Sequence, residues 1–153
     1  MKKILKIVVI IAATAFVVLQ FFRPDRTNPP IVEAETLEAA TSVPAEVQII
    51  LSISCNDCHS HKTVYPWYSN ISPFSWFLAD HIEHARGEVN FSVWNTYDIN
   101  KKARKLEEIC EMVEAGAMPL PSYLWIHRDA ALSESNVETL CNWVNQEKLR
   151  LDQ

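Results

Sequence analysis

Apolar and polar positions alternate along this chain with the period of helices. After Pro44, which suits a first helical position, Val47, Ile50, Leu51 and Ser54 fall on one face of a helix that runs straight into Cys55. Ser72-Pro73 reads as a cap and first-turn proline, followed at helical spacing by Phe74, Phe77, Leu78, His81 and Ile82, with Gly87 as a left-handed stop. Asp98 or Asn100 opens a further helix with Leu106, Ile109, Cys110 and Val113 inward and Gly116 at its end. Ser133, or Ser135 with Glu138 at capping-box spacing, opens the last, with Val137, Leu140, Cys141 and Val144 inward. No stretch of clean period-two alternation predicts a strand. The expected class is all-α.

The N-terminal pattern differs. Ile7 to Phe22 is uncharged and mostly apolar, and Ile4 and Leu5 extend it across Lys6. A helix of 18–19 such residues would span about 28 Å, near the hydrocarbon thickness of a bilayer. Cleavage at the small residues Ala13-Thr14-Ala15 is the rival reading, but it would leave apolar sequence running on past the cut. The expectation is therefore one uncleaved N-terminal transmembrane helix over residues 1–23. Lys2, Lys3 and Lys6 precede it, which keeps the N-terminus cytoplasmic by the positive-inside rule. That placement implies a single-pass protein of the bacterial inner membrane, in contact with membrane lipid, with its C-terminal domain in the periplasm. Three prolines within residues 24–30, and no periodicity after them, predict a linker over residues 24–43. The remaining residues, 44–153, form the expected domain.

Charge narrows the function. The chain carries −5 overall, yet its first 23 residues hold four cations and no acid, so the rest has 10 Lys+Arg against 19 Asp+Glu. A nucleic-acid binder would show the opposite sign, so no nucleic-acid partner is expected. With only 2 Gly, phosphate-cradling loops are also improbable.

The chemistry lies in Cys55-Asn56-Asp57-Cys58-His59, the C-x-x-C-H signature of c-type haem attachment. Two thiols at this spacing match the two porphyrin vinyl groups, and the adjoining His59 becomes the proximal iron ligand. By chance the pattern would arise about 0.003 times in a chain of this composition. A thioredoxin-like pair would need a surrounding βαβ pattern, and a zinc site would need further ligands at finger spacing. The sixth-ligand candidates are Met112, Met118, His61, His81, His84 and His127. Met118, in the loop Ala117-Met118-Pro119-Leu120-Pro121, is preferred because His/Met pairs are usual in cytochromes c and this loop is free of helical constraint. Trp67 and Tyr68 are candidate pocket residues, and Arg86 and Lys62 could neutralise propionates. Cys110 and Cys141 fall on two different helices, and the pattern allows a disulfide or two buried thiols.

The run Cys55 to Ser60 with Thr63, Pro66-Trp67-Tyr68-Ser69, Pro73 and Trp76 resembles the single-haem "haem-binding domain" family of bacterial c-type cytochromes. So do Asn90-Phe91-Ser92 with Trp94, Met118-Pro119, Tyr123, His127, Ala130, Leu132-Ser133 and Trp143, and the likeness covers about residues 44–146. The resemblance implies a cytochrome c-like helical domain around one covalent haem c. Cys55 and Cys58 would carry it, with His59 the proximal and Met118 the distal iron ligand. The expected function is transfer of single electrons between redox partner proteins rather than enzymatic catalysis. The alternative is a haem enzyme or gas sensor with a displaceable distal ligand.

Overall fold

A computed structural model describes residues 1–151, so the last two residues of the expected domain lie outside the described residues. Among the described residues the secondary structure is helical throughout. Eight α-helices occur: α1 (Lys2–Leu19), α2 (Leu37–Ala40), α3 (Ala45–Ser54), α4 (Asn56–His59), α5 (Phe74–Glu88), α6 (Ile99–Glu114), α7 (Pro121–Leu124) and α8 (Glu134–Leu151). Short 3-10 segments at Glu33–Glu35, Trp67–Asn70, Phe91–Thr96 (kinked at Val93) and Arg128–Ala130 lie between them.

The core collects the apolar stripes of α3, α6 and α8. Val47, Ile50 and Leu51 from α3 meet Leu106 and Val113 from α6 and Leu140, Trp143 and Val144 from α8, with Trp94 buried among them. The longest helix contact is α6 against α8, and a Cys110–Cys141 disulfide staples it, deciding the question the spacing left open. Two of the expected caps form, whereas Pro44 and Pro73 themselves take the N-cap positions of α3 and α5 and Ser72 makes no cap bond. The Asp98 carboxylate accepts from the Lys101 N–H at 2.9 Å, and the Ser133 hydroxyl accepts from the Asn136 N–H at 3.2 Å. Gly116 ends α6 with φ of +65°, a conformation that costs glycine little and L side chains considerably more.

Several expectations change. No helix among the described residues is long and apolar enough to cross a membrane, which corrects the N-terminal transmembrane helix. α1 stops at Leu19 and holds Lys2, Lys3 and Lys6 within it. Its uncharged part, residues 7–19, is about 20 Å long, short of the roughly 30 Å hydrocarbon core. The single-pass inner-membrane placement rested on that helix and is not supported. The chain following α1 is tied back to the start of α5: Gln20 donates to the Ser72 carbonyl and accepts from its N–H, both at 3.0 Å, and Trp76 donates to the Phe22 carbonyl.

The segment expected as a linker holds two helical turns and buries Leu37 and Thr36. Thr36 caps α2 through its hydroxyl, a signal hidden by the brevity of the turn. In α5 the inward face carries Ser75 and Ile82, whereas Phe74 and Phe77 stay exposed. Gly87 lies within α5 without a positive φ, and Val89 caps the helix in extended conformation.

Candidate haem site

Helix α3 delivers the motif. Its buried face fixes its axis, and the chain breaks at Cys55 (φ −127°, ψ −42°) before the single turn α4. Within that turn the His59 N–H donates to the Cys55 carbonyl at 2.9 Å, which holds the imidazole close to the first thiol. Ser60, fully buried, then donates to the Asn56 carbonyl and ends the turn.

The His59 ring is set by the C-terminal end of α5. There the Ala85 carbonyl, which also accepts the Val89 N–H, and the Val89 carbonyl just beyond the helix lie 3.1 and 3.2 Å from His59 Nδ1. Both partners only accept, so Nδ1 carries the hydrogen and Nε2 keeps its lone pair. Burial holds the His59 pKa below its ordinary value, against the opposing pull of the two carbonyls, and so favours the neutral ring. A neutral imidazole with a donated Nδ1 and a free Nε2 is the form that binds a metal.

The two cysteines are unbridged thiols. Burial pushes the Cys55 thiol up to about 12, with Cys58 adding to the shift. Burial likewise pushes Cys58 to about 11, Asp57 raising it further and Arg86 opposing. Disulfide exchange uses a thiolate, which this environment disfavours.

Cys55, His59 and Met118 line one cavity of about 620 Å³, walled on one side by Phe91, whose ring centre lies 6.2 Å from that of His59. This volume lies within the roughly 300–1,000 Å³ usual for cofactor pockets. The Cys55 thiol, a metal-ready imidazole and a thioether converge on a largely apolar space, which fits a haem.

The other candidates divide. His81, His84 and Met112 also line the cavity, Met112 despite its helical position. His61 does not: its Nδ1 faces the Pro30 carbonyl and its Nε2 the Asn90 amide, at 3.1 and 2.9 Å. His127 is engaged by the Tyr68 hydroxyl at 2.8 Å. Cys58, half-buried, and the suggested pocket residues Trp67 and Tyr68 are absent from the cavity lining, and Trp67 is 71% exposed. Arg86 is no propionate partner here, because its guanidinium binds the Ser60 carbonyl, Thr63 Oγ1 and Asn28 Oδ1, each at 2.9 Å. Lys62 pairs with Glu38 at 2.7 Å.

Two features escaped sequence reasoning. The partners of His59 are backbone carbonyls, which leave no mark in residue identity. Lys105 is the other: its buried ammonium bridges Glu108 at 2.6 Å and Glu88 at 3.1 Å on the cavity wall. Its place beside the inward Leu106, with Glu108 three residues on, was the available signal.

Comparison with known families agrees with this geometry. A sequence profile described as "Haem-binding domain" matches residues 14–146, reaching back into α1. No curated protein and no solved structure matches the chain.

Proposed function

The chain belongs to the haem-binding domain family, and on that premise we propose that it carries single electrons on one covalently held haem c, ligated by His59 and Met118. The observation that carries this reading is the pinning of His59 Nδ1 by two helix-end carbonyls, with Nε2 left free in a cavity that Met118 also lines.

Each residue has a distinct part. Cys55 and Cys58 would hold the haem through two thioethers, each made by adding one S–H across one vinyl C=C bond with no oxidant needed. His59 supplies the proximal nitrogen, oriented by Ala85 and Val89. Met118 supplies a thioether, a weaker donor to ferric iron than imidazole, which favours the reduced state and raises the potential. Haem, when bound, supplies an iron centre that gains and loses one electron. Held by His59 and Met118, the iron would need little rearrangement for each electron, which suits exchange between a reduced donor and an oxidised acceptor protein.

Absorption spectra of the haem-loaded protein test the assignment. The wild type is expected to be low-spin and six-coordinate, with the far-red thioether–iron charge-transfer band in its ferric form. Met118→Ala should lose that band and open the site to carbon monoxide. A low-spin spectrum that survives Met118→Ala would overturn His/Met ligation and move the sixth ligand to His81 or His84.

A further inference from the structure

Behind the cavity lies a cluster that the haem site does not use. Asp57 sits between the two motif cysteines, and its carboxylate is fully engaged: Oδ1 accepts the Val64 N–H and Oδ2 the Tyr123 hydroxyl, both at 2.9 Å. The Tyr123 ring stacks on His127, with centres 4.2 Å apart and planes 7° apart. His127 Nε2 in turn shares a hydrogen bond with the Tyr68 hydroxyl. Two chain segments are thereby clasped together. Asp57 is two residues before His59, and Tyr123 is five residues after Met118.

The loop that carries Met118 packs through Met118 and the buried Ala130, but few hydrogen bonds fix its register. At its start the N–H groups of Ala117 and Met118 donate to the Met112 carbonyl at the end of α6. Between there and Ala130, the Tyr123–Asp57 and Tyr68–His127 pairs are the side-chain hydrogen bonds, among the described residues, that join this loop to the rest of the chain. Tyr123 is half-buried, and burial, with the Asp57 carboxylate second, raises its pKa, so the hydroxyl stays a donor. A hydrogen bond to a carboxylate is about twice as strong as a neutral one.

We infer that Tyr123, acting through Asp57, is a positioning residue for the distal ligand: the hydroxyl–carboxylate bond holds the Met118 loop in fixed register with the haem-attachment motif. This rests on the reading of Met118 as that ligand. A thioether is a neutral, weak donor, so its hold on iron depends on how firmly its loop is presented. The clasp supplies that presentation from the proximal side of the site, coupling the two axial ligands through a residue inside the C-x-x-C-H motif itself.

Tyr123→Phe deletes the hydroxyl and keeps the ring that stacks on His127. Asp57→Asn keeps the size; its oxygen can still accept the Val64 N–H and its amide can donate to the Tyr123 oxygen, so a neutral bond replaces the charge-assisted one. Both variants are measured as haem-loaded full chains, by the ferric thioether–iron band and by ferrous carbon monoxide affinity. Tyr123→Phe should weaken the band and raise carbon monoxide affinity about tenfold, the cost expected for losing one bond to a charged group. Asp57→Asn should shift both in the same direction by less, and haem should remain attached in each. A merely structural role would lower thermal stability and leave both readouts in place. A band present in the wild type and unchanged in both variants overturns this proposal alone. A wild type without the band, with Met118→Ala spectrally silent, overturns the Met118 reading and this proposal together.

Discussion

Removing the Cys110–Cys141 bridge should weaken the domain severely, because it staples the helix pair that supplies much of the core. The two cysteines are separated by 31 residues in sequence. Closing a loop of that length removes about 12 cal/mol/K from the unfolded ensemble in the chain-entropy model, or about 3.7 kcal/mol at 25 °C. Replacing both residues by Ala should therefore lower the unfolding free energy by about 4 kcal/mol and the melting temperature by roughly 15 °C for a domain of this size. The assay is urea unfolding of wild type and double variant under non-reducing conditions, with a thermal melt beside it. A modest rise in the urea slope is expected as well, since the uncrosslinked chain exposes more surface on unfolding. A loss below about 1 kcal/mol would refute the reasoning. So would alkylation of Cys110 and Cys141 in the native, unreduced protein.

Two further perturbations test the packing and the cavity wall. Trp94 is 1% exposed and Trp125 78%, so Trp94→Ala should cost about 3–5 kcal/mol in denaturant unfolding and Trp125→Ala within about 0.5 kcal/mol of nothing. The Lys105 pKa is raised, first by its hydrogen bond to Glu108 and next, against desolvation, by Glu88. A raised lysine stabilises the fold fully below the unfolded value of about 10.4 and loses that contribution as pH climbs through the folded value. Lys105→Met should thus be destabilised at neutral pH, and its deficit against wild type should shrink above about pH 10.4 in pH-dependent melts. A deficit independent of pH would argue that the ion cluster contributes packing alone.

The sequence was most informative where periodicity and caps acted together. Asp98, Ser133 and the Gly116 stop are local signals, and the structure uses each of them. The inward stripes of α3, α6 and α8 were legible for the same reason. The reading failed where tertiary context decides. Phe74 and Phe77 have the right spacing for an inner face, yet α5 turns Ser75 and Ile82 inward, because its position is fixed by the motif loop and the segment after α1. The apolar N-terminal run has the hydropathy of a span, but its helix stops at Leu19 and takes the three lysines inside it, a boundary that hydropathy does not reveal. In the site, Cys55, His59 and Met118 could be named from the motif and the loop, and they share one cavity. The tautomer of His59 depends on carbonyls 26 and 30 residues away, which no residue identity could disclose. Tyr68 drew notice for its nearness to the motif, but its hydroxyl turns to His127, a long-range pairing that spacing does not reveal.

The central claim is that Cys55 and Cys58 hold one haem c by covalent bonds, and intact mass spectrometry of the denatured protein tests it most directly. Protein produced with the machinery for haem attachment should, after denaturation and acid–acetone extraction, weigh the polypeptide plus one haem. Cys55→Ala/Cys58→Ala should weigh the polypeptide alone. A wild-type chain at the bare polypeptide mass, or a double variant that still carries haem, would contradict the account.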